Sequence, residues 1–261
     1  MKNTKTWIIL INLLFCISIQ AQFDSIKFHY LGHSSFLILF NNELSILTDY
    51  GKPNAYLEYG WDSPIYDIGD FHPTICTYSH SHEDHYDSTR ISSDNCIILT
   101  KADTLVLKDL TIYPILTSED NVLIKDNRSY LINYKGIKIL HLGDCQANII
   151  NVDSVENENF IKNNIPLDCD VVLIPIEGKS KYIPQLKRFI ELIHPMTIIP
   201  MHYWSNEYKQ EFLGYMDHEN SVDKSIYKIS IVDNSKYTYY RNTKTNEIIH
   251  IVSIHPSKFT N

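Results

Sequence analysis

The chain has 261 residues, 44% of them hydrophobic and 21% charged, a balance that excludes a disordered polymer, a collagen or a small disulfide-stapled scaffold. Its 23 Lys and Arg against 31 Asp and Glu leave a formal charge of −8, so a generic binder of phosphate backbones is excluded and no nucleic-acid partner is expected.

At the N terminus, Lys2 and Lys5 precede an apolar run from Trp7 to Ile19 that stops at Gln20-Ala21-Gln22. The run is too short for a membrane span and has the charge, length and small residue of a secretory signal peptide, so residues 1–21 are expected to be removed. The mature chain, 22–261, is then a single acidic domain without an integral membrane segment, periplasmic or secreted. Cys16 leaves with the signal, and Cys76, Cys96, Cys145 and Cys169 remain. An oxidising compartment permits disulfides among them, but Cys76 and Cys96 lie in or beside apolar runs, and buried free thiols are the expected state. No CxxC occurs, which excludes a four-thiolate zinc site.

Apolar, β-branched runs then recur at Ile26 to Leu31, Ser34 to Phe40, Leu44 to Thr48, Thr74 to Tyr78, Cys96 to Leu99, Leu110 to Ile115, Tyr130 to Tyr134 and Ile137 to Leu142. Turn signals such as Asn41-Asn42 and Lys135-Gly136 separate them, and they read as strands. The stretch from Gly51 to Phe71, with Tyr56, Tyr59, Trp61, Tyr66 and Phe71, is expected to pack as an ordinary loop, a pocket wall being the alternative. Val171 to Ile176 reads as a buried strand ending near Pro175. From Ile183 the spacing of Leu186, Phe189, Ile190 and Ile193 predicts a helix stopped at His194-Pro195, followed by a strand from Met196 to Met201. A second helix is expected from about Ser205 to Met216, then strands near Ile226 to Val232, Tyr237 to Tyr240 and Glu247 to Ile254. The sum is a layered α/β domain.

The dense chemical signal is Ser79-His80-Ser81-His82-Glu83-Asp84-His85, directly after a strand. Residues two apart in extended backbone project to one side, which lets His80 and His82 present imidazoles to one point while Asp84 and His85 reach it after the chain turns. Imidazole and carboxylate together suit zinc, manganese or iron better than calcium or magnesium. Two more strands end in the same manner, one at Gly143-Asp144 and one at His202, and strand ends are where α/β sheets gather ligands.

These segments, with Tyr30-Leu31-Gly32-His33-Ser34-Ser35-Phe36, His141-Leu142-Gly143-Asp144, Leu173-Ile174-Pro175-Ile176 and Ile199-Pro200-Met201-His202-Tyr203, resemble the metallo-β-lactamase fold hydrolases, in the branch of ascorbate-phosphate lactonase-like proteins and N-acyl phosphatidylethanolamine phospholipase D. The resemblance implies an αββα four-layer sandwich with one or two divalent ions at one edge, zinc foremost and manganese or iron as alternatives. It makes His80 and His82 ligands of a first ion, Asp84, His85 and His202 ligands of a second, and Asp144 the bridging carboxylate. His33 is expected to contact substrate or a ligand residue, and His141 to pack behind the site.

One departure from the family pattern stands out: the stretch from Asp87 to Leu140 has no histidine, where a third imidazole for the first ion belongs. Thr117, Ser118, Glu119 and Asp120 occupy that region, so an acid such as Asp120 replaces it, His141 swings in, or one ion suffices. A bound divalent ion lowers the pKa of a coordinated water from about 15.7 to about 7, with Asp84 or Asp144 placed to handle its proton. The expected function is an exported metal-dependent hydrolase of an ester, lactone, amide or phosphodiester in a small molecule. The alternative is a non-catalytic binding module with a degenerate first metal site. Lys179 and Lys181 are expected in a solvated loop.

Overall fold

The computed structural model describes residues 25–41, 44–60, 64–91, 96–99, 103–177, 180–223, 227–232, 235–240 and 248–260; the expected signal segment, Trp61 and Lys179 lie outside them. The early apolar runs form β1 (Ser25–Gly32), β2 (Ser35–Phe40), β3 (Leu44–Thr48), β4 (Ile75–Thr77) and β5 (Ile97–Leu99). Next come β6 (Leu105–Leu107), β7 (Leu110–Thr117), β8 (Asn127–Tyr134) and β9 (Ile137–His141). Lys135 and Gly136, with φ of 50° and 83°, close the β8–β9 hairpin in the left-handed conformation that such turns require. The chain continues through helices α1 (Gln146–Ile150) and α2 (Val155–Asn164), strand β10 (Val171–Pro175), helix α3 (Ile183–Ile193), strand β11 (Thr197–Met201), helix α4 (Asn206–Asp223) and strands β12 (Tyr227–Val232), β13 (Lys236–Tyr240) and β14 (Ile249–Ile254).

Among the described residues these strands make two mixed sheets, ordered β13-β1-β2-β3-β4-β5 and β12-β14-β11-β10-β9-β8-β7-β6. They stack face to face, with Phe28, Tyr30, Phe36, Ile38 and Ile46 of one sheet against Ile132, Ile139, Leu173, Ile199 and Met201 of the other. The period of two in a strand explains the uninterrupted apolar runs. In β10, Val171 and Leu173 face the partner sheet, whereas Val172 and Ile174 face the helices. In β2, Phe36 and Ile38 point inward while Leu37 points to the opposite outer face.

The helical layer covers the larger sheet. Helix α3 buries Ile183, Leu186, Phe189, Ile190 and Ile193, carries Pro184 in its first turn and ends at His194 in the left-handed conformation, as the spacing predicts. It joins the parallel neighbours β10 and β11. The fold is the expected layered α/β sandwich of the metallo-β-lactamase type, and among the described residues the outer face of the smaller sheet is also covered. There Leu31, Leu37, Leu47 and Cys76 pack under Tyr50, Ile65, Ile68, Phe71, Tyr86 and Ile91, all from irregular segments whose large side chains supply the cover that a helix would. Cys76, Cys96, Cys145 and Cys169 are free thiols, Cys76 donating to the Cys96 sulfur at 2.9 Å. No helix among the described residues is long and apolar enough to cross a membrane.

Strand β6 and helices α1 and α2 are additions to the sequence expectation. Helix α2 buries only Asn157 and Ile161, too few apolar positions for a periodic stripe, and its beginning is set by a polar cap instead: Ser154 accepts from the Asn157 backbone N–H at 3.3 Å, with Glu156 and Glu158 in the first turn and Lys162 in the last. Charge and cap together favour this helix end to end. Ser154→Ala is expected to cost about 1 kcal/mol, read as a fall of roughly 2–4 °C in Tm; an unchanged melt would show that the cap contributes nothing.

Candidate metal centre

Strands β3, β4, β7, β9, β10 and β11 run in register with their carboxyl ends toward one edge of the sandwich, and each delivers a polar residue there. Asp49 follows β3, the Ser79 to His85 turn follows β4, Glu119 follows β7, Asp144 follows β9, Glu177 follows β10 and His202 follows β11. The backbone leaves extended geometry abruptly at these points: Asp49, Glu177 and His202 have φ of 40°, 54° and 51°, and His33, in the β1–β2 turn, has 50°. Such conformations cost a non-glycine residue of the order of 1 kcal/mol or more and persist because hydrogen bonds fix them. His202 N donates to His33 O and Glu177 N to His202 O, each at 2.9 Å, and Asp49 N donates to Thr77 O at 2.9 Å. At Gly143 (φ 58°) a Cβ would stand 2.4 Å from Ser79 Cβ, so only glycine lets the β9 end pass the histidine turn.

Two groups of donors meet at this edge. In one, His33, Asp84, His85 and His202 bring their ligand atoms within 4.8 Å of one another. His85 Nδ1 donates to Asp49 Oδ2 at 2.8 Å, and His202 Nδ1 lies 2.6 Å from Glu177 Oε1. With each Nδ1 turned to a carboxylate, the two Nε2 atoms face one another at 3.0 Å. Two imidazole lone pairs at that separation repel unless a proton or a metal ion lies between them. Asp84 Oδ2 accepts from His33 Nε2 at 2.8 Å and stands 3.4 Å from His85 Nε2 and 3.9 Å from His202 Nε2. In the other group His80, His85 and Asp144 converge, as do His80, His82 and Asp84. His80 Nδ1 is held by Ser79 Oγ at 3.0 Å, which leaves Nε2 for the site. Asp144, 3.6 Å from His202 Nε2, belongs to both neighbourhoods. Beside His80 and His82 stands Glu119, its Oε1 3.0 Å from His82 Nδ1 and its Oε2 3.5 Å from His80 Nε2.

The charge balance fits a cation. His80 Nε2, Asp84 Oδ1 and Asp144 Oδ1 are buried without a hydrogen-bond partner, an arrangement that costs energy unless an ion satisfies it. Burial and the neighbouring carboxylates of Asp144 and Asp120 push Glu119 up to about 8. Burial, opposed by His202 and reinforced by Glu177, pushes Asp144 up to about 6. Against the cost of its burial, Asp144 and Glu177 raise His202 to about 9, and Asp84 and Asp49 raise His85 well above the usual imidazole range. Without a metal Glu119 keeps its proton near neutrality, while His85 and His202 carry the positive charge that a divalent ion would otherwise supply to Asp84 and Asp144.

Above these donors lies a cavity of about 490 Å³. Tyr56, Tyr59, Tyr182, Trp204 and Ile150 form its upper wall, and His82, Asp84, Glu119, Asp144 and His202 its floor. Tyr56 and Tyr59 thus wall a pocket, which corrects the reading of the Gly51 to Phe71 stretch as ordinary loop packing; they bound the 3-10 turn at Leu57–Tyr59, and the Tyr56 ring stands against Trp204 with centroids 5.8 Å apart.

All six residues expected to hold metal, His80, His82, Asp84, His85, Asp144 and His202, come together. His33 and His141 do not line the cavity: His33 is bonded to Asp84 from behind, and His141 lies between Ser34 O at 3.0 Å and the Gly143 N–H at 3.2 Å. Both ring nitrogens of His141 are engaged by backbone, so it does not swing into the first position, and the acid that approaches His80 and His82 is Glu119, not Asp120. Asp49 and Glu177 were absent from the expected set. Their signal was the one that exposed Asp144 and His202, a polar residue at the end of an apolar strand, as in Leu47-Thr48-Asp49 and Pro175-Ile176-Glu177. Lys181 lies over the Tyr182 ring at 4.7 Å and does not line the cavity.

The Beta-lactamase superfamily domain matches residues 27–202 of the chain, from β1 to the last of these histidines. No curated protein matches by sequence. Among solved structures, a protein from Thermotoga maritima assigned to the Zn-dependent hydrolases of the metallo-β-lactamase superfamily superposes with a TM-score of 0.57 at 20% identity, over 88% of this chain and 100% of its own. An isothiocyanate hydrolase from Delia radicum gut bacteria gives 0.56 at 13% identity, over 84% and 100%. CmlA, a diiron β-hydroxylase from Streptomyces venezuelae, gives 0.51 at 12% identity, over 85% of this chain and 55% of its own. At these identities the likeness is one of fold.

Asp49→Asn keeps the shape of the carboxylate but removes the charge behind His85, and is expected to weaken metal binding about 10- to 100-fold. His141→Ala, tested beside it, is expected to leave metal stoichiometry intact while lowering Tm. Metal analysis after equilibrium dialysis measures both; equal affinity in Asp49→Asn and wild type would remove Asp49 from the centre.

Proposed function

The chain belongs to the beta-lactamase superfamily, and from that membership and the geometry of its edge cluster we propose that it is a metal-dependent hydrolase of an uncharged ester or lactone. One observation carries this reading: two imidazole Nε2 atoms held face to face at 3.0 Å, each with a carboxylate behind it, at the floor of an open cavity. The motifs from Tyr30 to Phe36 and from Ile199 to Tyr203 support the lactonase-like branch of the family.

A divalent ion bound here supplies a Lewis acid for a carbonyl or phosphoryl oxygen and a water acidified to about pKa 7. Asp144, whose Oδ1 is buried and without a partner, is placed to accept a water proton, and Asp84 stands opposite it across the floor. Tyr56, held up at about 12 by burial and by the charges of Asp84, Glu83 and Glu119, keeps a neutral hydroxyl that bonds to Asp84 at the cavity wall. Tyr59, Tyr182 and Trp204 offer ring faces to an apolar substituent and narrow the approach of bulk water. Five carboxylates, those of Asp84, Glu119, Asp120, Asp144 and Glu177, line the cavity, and no Lys or Arg does so among the described residues. The cations of a loaded centre offset most of this charge, so the preference for an uncharged acyl substrate over an anionic phosphodiester rests on the lack of a basic side chain to pair with a phosphate among the described lining residues.

Export through residues 1–21 is part of the reading, supported by the sequence pattern alone. Expression of the full-length chain in a bacterial host is expected to yield a mature N terminus at Gln22, and retention of Met1 in the exported fraction would count against it.

His82→Ala is expected to remove most bound metal and hydrolysis together, since His82 reaches the site through a half-exposed side chain whose loss does not breach the core. Unchanged metal content in that variant refutes the ligand assignment. Turnover of uncharged esters and lactones by the metal-loaded protein is expected to exceed that of phosphodiesters. Bound metal with no turnover on either panel would instead identify a binding module.

A further inference from the structure

The position opposite His80 and His82 is filled by a carboxylate. Glu119 reaches it from the segment that leaves β7, and that segment is fixed at several points: Ser118 N donates to Asn148 Oδ1 at 2.8 Å, Glu119 N to Asp126 Oδ1 at 2.9 Å, and Ala147 N to Glu119 O at 2.7 Å. The backbone of Glu119 is therefore tied both to α1 and to the turn that enters β8, and its side chain, 14% exposed, is directed at the two imidazoles. The contacts involve the atoms that a shared ion would use. His80 has Nδ1 occupied by Ser79 and Nε2 without a hydrogen bond, while His82 turns Nδ1 toward the carboxylate. Two donors each about 2.1 Å from one ion at a tetrahedral angle stand about 3.4 Å apart. The observed separations, 3.0 Å from Oε1 to His82 Nδ1 and 3.5 Å from Oε2 to His80 Nε2, bracket that value for a carboxylate that spans the two imidazoles with both of its oxygens. Asp120 follows Glu119 in the chain but makes no such approach to either imidazole among the described contacts.

We propose that Glu119 is the third protein donor to the ion held by His80 and His82, making this position a site of two imidazoles and one carboxylate that discriminates against manganese and ferrous ions less than a three-imidazole site does. The inference rests on the metal-dependent reading above and adds to it a donor and a metal preference. Replacing a neutral nitrogen donor by an anionic oxygen donor raises the negative charge of the position and its affinity for harder ions; two histidines and a carboxylate with open positions are also the set used for ferrous iron. The second position, with His85 and His202, keeps imidazole donors and has no such change. The two positions of one centre then differ in chemistry.

The test uses full-length mature protein and two probes, zinc followed by competition with a chromophoric chelator and manganese followed by its paramagnetic resonance signal. Glu119→Gln is expected to lose one equivalent of zinc, or to hold it at least tenfold more weakly, with the second equivalent unaffected. Glu119→His is expected to restore the lost equivalent and to raise the zinc-to-manganese affinity ratio at that position at least tenfold. Asp120→Asn is expected to match wild type in stoichiometry, and thermal melts of all metal-free variants establish that each is folded. Wild-type zinc content and affinity in a folded Glu119→Gln, or an unchanged metal ratio in Glu119→His, would overturn the inference while leaving the hydrolase reading in place. A folded wild-type protein that binds neither probe would overturn the metal-dependent reading itself, and this inference with it.

Discussion

The arrangement on which the site depends is the pair of carboxylate–imidazole contacts behind it. Asp49 holds Nδ1 of His85 and Glu177 holds Nδ1 of His202, so each ring is fixed in orientation and presents Nε2 forward. Neither ring can relieve the opposition at 3.0 Å by rotating without breaking its contact to an acid. The strain is therefore electrostatic, and it has one sign: it is relieved by positive charge arriving between the rings. The carboxylates of Asp84 and Asp144, each with an oxygen that lacks a hydrogen bond, approach His202 Nε2 to 3.9 Å and 3.6 Å and reinforce that sign.

The fold makes such a concentration of like groups tolerable. Strand ends from both sheets meet at one edge, where each chain segment leaves its ladder and exposes polar backbone that a neighbouring segment then satisfies. The left-handed residues Asp49, Glu177, His202 and His33 are individually unfavourable, yet each is tied by a backbone hydrogen bond to another segment of the site. The two apolar layers behind them, one between the sheets and one beneath α3 and α4, supply the rigidity that these local costs draw on.

Much of this was legible in the residues. Alternating and continuous apolar runs gave nearly every strand, and the spacing of Leu186, Phe189, Ile190 and Ile193 located α3, because burial on both sides of a sheet or along one stripe of a helix leaves a periodic trace. Helix α2 left none, since capping and charge rather than burial define it. The histidine turn was visible because five ligand-type side chains, three imidazoles and two carboxylates, crowd one short segment. Glu119, Asp49 and Glu177 were harder to see: each is a lone acid at a strand end, and its partners lie far along the chain, His85 36 residues from Asp49 and His80 and His82 on another sheet. A carboxylate can replace an imidazole as a donor without leaving any pattern in the sequence, so only the three-dimensional approach of Glu119 to His80 and His82 identifies it.

The hydrogen bond from His202 N to His33 O joins the end of β11 in the larger sheet to the first hairpin of the smaller one. Neither half of the sandwich alone holds a complete donor set: His80, His82, Asp84 and His85 come from one, Glu119, Asp144 and His202 from the other. Ion capture is therefore an event of assembly, which follows the docking of the halves and thereafter acts as a rivet against their sliding. A nascent chain that ends before β9 carries the conspicuous histidines but neither Asp144 nor His202 to close the cage.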